Sequence, residues 1–153
     1  MKKSTITLLV VVGILVALAS WVIGAYNGLV TLDEETNGKW AQVESAYQRR
    51  ADLIPNLVNT VKGYAEFEQE TLTGVIEARA KATGINVDAN NLSPEAIANF
   101  QAAQSQLSGS LSRLLVTVER YPDLKANQNF LGLQSQLEGT ENRIKIERDR
   151  FNV

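Results

Sequence analysis

The sequence predicts an all-α protein in which a single N-terminal transmembrane helix is followed by an antiparallel bundle of long helices. Three observations predict this class. An uncharged, apolar run of 21 residues lies near the N-terminus, at positions 6–26. Apolar residues then recur at alternating spacings of three and four along three long segments, which is the helical period. Polar stretches and prolines separate these segments, as expected between helices.

The composition narrows the functional classes. The 153 residues include no cysteine and no histidine, so Ser-His-Asp catalysis, Cys-His catalysis and imidazole metal sites are excluded. The net charge is −2, and without Lys2 and Lys3 the chain has 13 basic against 17 acidic residues. This balance gives no electrostatic footprint for nucleic acid. We therefore expect no enzyme, catalytic residue, metal site, cofactor or nucleic-acid partner.

The apolar run from Ile6 to Tyr26 predicts a membrane anchor. At helical rise it spans about 31 Å, close to the roughly 30 Å thickness of the hydrocarbon layer. Lys2 and Lys3 lie at one end, and Trp21 and Tyr26 lie at the other, where amphipathic rings favour the membrane interface.

A cleaved signal peptide is the competing interpretation, since Ala17-Leu18-Ala19 resembles a cleavage site. The apolar run continues through residues 21–23, which favours a retained anchor. The N-terminal lysines and the acidic flank at Asp33–Glu35 predict residues 1–5 in the cytoplasm and residues 27–153 outside it. The expected location is the cytoplasmic (inner) membrane, with residues 27–153 on the extracytoplasmic side, which is the periplasm if the cell is Gram-negative.

A long helical segment follows the anchor. Its three-four seam predicts one helix or coiled-coil element over about 27–82, some 64 Å long between Trp40 and Ala82. Pro55 cannot donate to the carbonyl of Ala51, so a kink is expected there. The seam positions are Trp40, Val43, Tyr47, Arg50, Ile54, Leu57, Val61, Tyr64, Glu68, Thr71, Val75, Ala78 and Ala82.

Two further helices are predicted over 94–121 and 124–153. Ser93-Pro94-Glu95 is a typical helix start, and the seam that follows it runs from Ile97 to Tyr121 and includes Gln104. In the last helix, apolar residues recur every seven positions, at Phe130, Leu137, Ile144 and Phe151.

The predicted helix lengths are unequal. The first helix exceeds its partners, at about 42 Å each, by about 20 Å. A second copy of the chain, a further C-terminal helix or the membrane surface would have to cover this excess. Gly132 and Gly139 lie seven residues apart and, with Gly109, form a candidate helix-packing or oligomer strip. The lipid bilayer, a second copy and other membrane proteins are the expected partners.

A second, polar stripe runs beside the apolar seam of the first helix. It contains Arg49, Asp52, Asn56, Asn59 and Gly63. One interpretation is a recognition face for a partner. The favoured one is a structural network, in which Arg49 pairs with Asp52 and the asparagines bond to carbonyls freed by the proline.

Several motifs resemble the LemA family of bacterial membrane-anchored helical proteins. They are Tyr26-Asn27-Gly28-Leu29-Val30, the stretch from Arg49 to Val58, Val61-Lys62-Gly63-Tyr64-Ala65, Glu77-Ala78-Arg79, Tyr121 to Asn127 and Arg150-Phe151-Asn152. The resemblance implies one N-terminal span, a long-helix bundle and no established enzymatic activity. Family members usually continue past the Arg-Phe-Asn stretch, which suggests a fourth helix missing at the C-terminus.

Together, these patterns predict a non-enzymatic, membrane-anchored scaffold that self-associates and organises or shapes the envelope. The alternative is an accessory adaptor subunit of a membrane enzyme such as a protease.

Overall fold

The structure is a computed structural model that describes residues 3–64, 67–87 and 92–152, with side chains from residue 8 onward. These ranges contain five helices and no strand, which confirms the all-α prediction. The helices are α1 (Lys3–Lys62), α2 (Gln69–Gly84), α3 (Pro94–Val118), α4 (Pro122–Lys125) and α5 (Gln128–Phe151). The chain divides into two compact units, Met1–Gly38 and Lys39–Val153, and α1 contributes to both.

The first unit consists of the N-terminal part of α1. Its large apolar side chains between Leu8 and Leu32 are all exposed. By its length and composition, the helix that carries them could cross a membrane. Trp21 and Tyr26, the predicted interface residues, are 72% and 66% exposed. Lys2 lies outside the described residues, and Lys3 begins α1.

In the second unit, α1 and α3 run in the same direction. The ring of Trp40 lies 5.4 Å from that of Phe100, near the start of α3. Further along both helices, Arg50 of α1 donates to the Oγ of Ser108 of α3 at 2.6 Å.

α2, which lies between α1 and α3 in the chain, runs antiparallel to both. Arg120, just after α3, pairs with Glu68 at the start of α2. At the other end of α2, the carbonyl of Ala82 accepts a hydrogen bond from Gln104, in the first half of α3.

α5 runs antiparallel to α1. Its last residue, Phe151, packs on Trp40 with ring centroids 5.3 Å apart, and its N-cap residue, Asn127, donates to the hydroxyl of Tyr64 at 3.0 Å. Successive long helices of the second unit therefore alternate in direction, as in an up-down-up-down four-helix bundle.

The prediction of one helix over 27–82 was wrong at its centre. α1 ends at Lys62, and α2 begins only at Gln69. The amides of Tyr64 and Phe67 bond to carbonyls three residues earlier, at Val61 and Tyr64, which is turn geometry. Gly63 favours a break at this point because glycine in a helix has a high conformational entropy cost. The sequence did not reveal this break, because the three-four spacing of the apolar residues resumes in α2.

Two other predicted boundaries were wrong. The second helix ends at Val118 instead of residue 121, and Pro122–Lys125 forms the short α4. The last helix begins at Gln128, because the side chain of Asn127 accepts from the amides of Asn129 and Phe130 and so caps it. The predicted start of α3 is confirmed, since the Oγ of Ser93 accepts from the amide of Ala96 at 3.1 Å.

The core of the bundle has two parts. One is an aromatic cluster, formed by Trp40, Val43, Ala46, Tyr47, Val87, Phe100 and Ile144. The other is a larger, mainly aliphatic cluster, which includes Ile54, Leu57, Val75, Leu107, Leu114, Phe130 and Leu137. The buried polar residues Arg50 and Gln104 fall between these clusters along α1 and α3.

Candidate functional site

A buried arginine joins three helices at the level between the two core clusters. Arg50 of α1 is 1% exposed. Its Nη1 donates to the Oγ of Ser108 at 2.6 Å and to the Oε1 of Glu141 at 2.5 Å. Its Nη2 donates to the Oε1 of Gln104 at 2.6 Å and to the main-chain carbonyl of the same residue at 3.2 Å. We call these four residues the polar layer.

The polar layer is unevenly balanced. Its one carboxylate, Glu141, has a side chain that is 44% exposed, so the buried guanidinium is neutralised from the solvent side. The Nε of Arg50 is buried and has no hydrogen-bond partner within the described part of the chain. A buried donor without a partner has a free-energy cost, which offsets part of the stabilisation that the hydrogen bonds of Arg50 provide.

Gln104 links the polar layer to α2. Its Oε1 accepts from Arg50, and its Nε2 donates to the carbonyl of Ala82 at 3.3 Å. Ala82 lies in the last turn of α2, where main-chain carbonyls lack helical donors. The buried side-chain amide of Gln104 therefore accepts a hydrogen bond from the guanidinium and donates one to a carbonyl at the end of α2.

Tyr47 lies one turn before Arg50 on α1. The guanidinium carbon lies 5.1 Å from the centre of its ring, and the ring of Phe100 meets it edge-on at 5.1 Å. Burial raises the pKa of the Tyr47 phenol, and the positive charges of Arg148 and Arg50 oppose this shift.

A cavity of about 240 Å³ opens beside the polar layer, between α1, the end of α2 and α3. Its buried wall is formed by Tyr47, Ala51, Ala82, Phe100 and Gln104. Its more exposed wall is formed by Glu44, Gln48, Thr83, Ile85 and Asn86. Glu44 is the one formally charged residue among the ten that line the cavity.

The predicted polar stripe is exposed along its whole length, from Arg49 to Gly63. The carboxylate of Asp52 accepts from Gln48 at 2.8 Å, not from Arg49 as expected. The carbonyl of Ala51 was expected to bond to an asparagine. It accepts from the Nε of Arg79 on α2 at 2.8 Å instead.

Asn56, Asn59 and Pro55 are also exposed, and α1 continues through the proline to Lys62. Both the recognition face and the kink stay predictions.

The glycine strip does not pack within this chain. Gly109, Gly132 and Gly139 are exposed, and a Cβ added at any of them would meet nothing within 4 Å. The close-packed neighbour that the spacing suggested is therefore not another helix of the same bundle, and an intermolecular contact stays a prediction.

The prediction that the first helix is longer than its partners, which motivated an oligomer, was wrong. Because α1 ends at Lys62, its part in the second unit is about 36 Å long, against about 38 Å for α3 and 36 Å for α5. α2 folds back beside them and carries buried apolar residues of its own, among them Leu72 and Val75. No 20 Å excess is left over, so self-association needs a different basis.

In the sequence, Arg50 and Gln104 stand out only as positions of the two apolar seams. Two polar residues inside apolar seams were the available signal for a buried network. No comparable signal marks Ser108, Glu141 or Arg79, because polar residues of these types are common on the exposed faces of helices. Among the described residues, no group of three or more carboxylate, histidine or cysteine side chains is placed to hold a metal ion.

Comparison with known proteins identifies relatives of the second unit. The family model described as the LemA family matches residues 39–153. A protein named LemA from Metamycoplasma hominis is 29% identical over 106 residues, which cover 69% of this chain and 45% of that protein. The chain thus spans less than half the length of this curated relative.

Proposed function

The chain belongs to the LemA family, and we propose that it is a membrane-anchored, non-enzymatic scaffold of the bacterial cell envelope. In this role it self-associates and organises other membrane proteins or the membrane itself. It acts by holding a helical bundle at the membrane, and no step of its function requires bond chemistry.

The observation that carries this proposal is the change in burial along α1. Every large apolar side chain from Leu8 to Leu32 is exposed, whereas from Trp40 onward the same helix buries a regular seam. Exposed apolar surface of this extent is stable when lipid covers it. One helix thus serves both as an anchor and as part of a folded bundle.

The proposed orientation places the bundle outside the cytoplasm. Lys2 and Lys3 precede the apolar segment, and the acidic residues at 33–35 follow it. Positively charged residues are retained preferentially on the cytoplasmic side, so the N-terminus is assigned there.

Self-association is proposed to use the apolar part of α1. Small residues recur on one of its faces at spacings of four, three, four and four, where they permit close approach of a second helix in a membrane. A Cβ added at any of the three glycines of this face would meet nothing within 4 Å. The small residues are Gly13, Ala17, Ser20, Gly24 and Gly28.

The test is the mass of the full chain after mild detergent extraction, measured by light scattering with the detergent contribution subtracted. A scaffold that self-associates gives a particle of two or more 16.8 kDa chains. Single chains at tens of micromolar, also after cross-linking, would contradict self-association and favour an adaptor to a different membrane protein.

Topology has its own test. Protease added to intact cells, or to spheroplasts where an outer membrane is present, is expected to digest the bundle while residues 1–5 stay protected. Digestion that occurs only after lysis would reverse the assigned orientation.

A further inference from the structure

We propose that the cavity beside the polar layer binds a small organic ammonium ion, a single positive charge on a compact apolar or aromatic stem. This goes beyond the scaffold role and does not depend on it. The cavity has a volume of about 240 Å³ and is bounded by α1, α2, α3 and the segment after α2.

The buried wall of the cavity suits an apolar stem. Tyr47 and Phe100 present aromatic surface, and the methyl groups of Ala51 and Ala82 complete the wall. These four side chains are each at most 5% exposed and are fixed by packing in the core. A compact stem would bury apolar surface here without rearranging the bundle.

The polar groups of the cavity suit a hydrogen-bond donor. Gln48 uses its amide nitrogen for Asp52, and Thr83 uses its hydroxyl hydrogen for the carbonyl of Arg79, so both have oxygens left to accept. Glu44 adds a carboxylate that makes no ion pair in the described part of the chain. Thr83 lies in the last turn of α2, whose macrodipole is negative at that end.

Nearby positive charges limit the ligand to one charge. Arg50 lies behind Gln104 and is paired with Glu141. Arg148, whose charge acts on Tyr47, does not line the cavity. Arg79 bonds to the carbonyl of Ala51 and does not line the cavity. Its unpaired charge would repel a polyamine more strongly than a monoamine.

The experiment uses the full chain in detergent micelles, labelled with ¹³C at the alanine methyl groups. Benzylammonium is titrated, and the methyl signals of Ala51 and Ala82 are expected to shift with a common, saturable dependence on concentration. The methyl of Ala126, at the opposite end of the bundle, serves as the reference and is expected to stay fixed. Benzyl alcohol, which has the same ring and no charge, is expected to bind at least fivefold more weakly.

Two variants test the role of the carboxylate. Glu44→Gln keeps the shape of an exposed side chain and is expected to weaken benzylammonium binding about fivefold, the loss of one partly solvated ion pair. Glu77→Gln changes another exposed carboxylate, on α2 and outside this cavity, and is expected to leave binding unchanged.

Three results would overturn the assignment. They are absence of saturable shifts at Ala51 and Ala82, equal binding of benzyl alcohol, or unchanged binding by Glu44→Gln. A fourth arm uses Nα-acetyl-lysine N-methylamide, a mimic of a protein lysine. Tighter binding of that compound than of benzylammonium would assign the cavity to a partner's lysine and overturn the small-amine assignment.

Discussion

The Nε of Arg79 donates a 2.8 Å hydrogen bond to the main-chain carbonyl of Ala51. This carbonyl is the one that Pro55 leaves without a helical donor, because proline has no N–H. A side chain from α2 therefore completes the hydrogen bonding of α1, and this contact ties together two helices that are neighbours in the chain.

The first prediction concerns this contact. Arg79→Ala is expected to lower the free energy of unfolding by about 1–2 kcal/mol, since a partly buried carbonyl loses its donor. In a Pro55→Ala background the new amide of residue 55 supplies that donor, so the same change is expected to cost clearly less. Chemical denaturation of the four proteins, followed by circular dichroism, measures the coupling. Arg49→Ala, an exposed arginine of α1, is the control, and equal costs in both backgrounds would refute the proposed pairing.

The second prediction concerns the polar layer. Gln104→Leu removes an acceptor from the buried Arg50 and the donor to Ala82, and is expected to destabilise the bundle by about 2–3 kcal/mol. Gln106→Leu makes the same substitution at an exposed position two residues later and is expected to change stability by less than about 0.5 kcal/mol. The urea concentrations at the unfolding midpoints of the two variants measure this difference. Similar midpoints would show that the network contributes little to stability.

The third prediction concerns alkaline pH. Burial raises the pKa of Tyr47 in the folded protein above its ordinary value of 10.0, so the unfolded chain loses the phenolic proton first. The contribution of Tyr47 to stability is therefore intact below pH 10 and is lost as pH rises from 10 through the folded pKa. Tyr47→Phe is expected to show a shallower loss of stability over this range. Unfolding free energies of both proteins between pH 8 and 11 measure this difference, and parallel curves would contradict it.

The fourth prediction concerns the exposed glycines of α5. Gly132→Ala and Gly139→Ala are each expected to stabilise the bundle by about 0.5–1 kcal/mol, because the added methyl meets nothing within 4 Å and alanine favours the helix. Gly63→Ala is the contrasting control, since its Cβ would lie 3.3 Å from the carbonyl oxygen of Thr60. Thermal unfolding ranks the three variants, and destabilisation by the first two would reveal a contact that the isolated chain does not show.

Periodicity predicted which residues of α1 and α2 are buried better than it predicted where these helices begin and end. Trp40, Ile54 and Val75 are all buried as the seam required. Yet the break after Lys62 was missed, because two helices whose apolar faces stay in phase have the same pattern as one.

The polar layer was out of reach for a different reason. Its members come from α1, α3 and α5, and Arg50 is separated from Glu141 by 91 residues. Spacing within one helix does not contain such a contact. Arg79 was missed in the same way, because the donor to the freed carbonyl comes from another helix and not from the asparagines nearby.

The last prediction concerns self-association through the apolar part of α1. Gly24→Leu and Gly28→Leu place bulk on the face where small residues recur, and are expected to shift the detergent-extracted particle towards single chains. Ala19→Leu adds similar bulk about 140° away around the helix and is expected to leave the mass unchanged. The double variant Gly132→Leu/Gly139→Leu tests whether the interface lies in the bundle instead of the apolar part of α1. If this variant alone lowers the particle mass, the copies associate through the bundle. Cross-linking in native membranes, with all variants at matched expression, checks that detergent has not caused the dissociation. If every variant keeps the parental mass, neither glycine face holds the copies together.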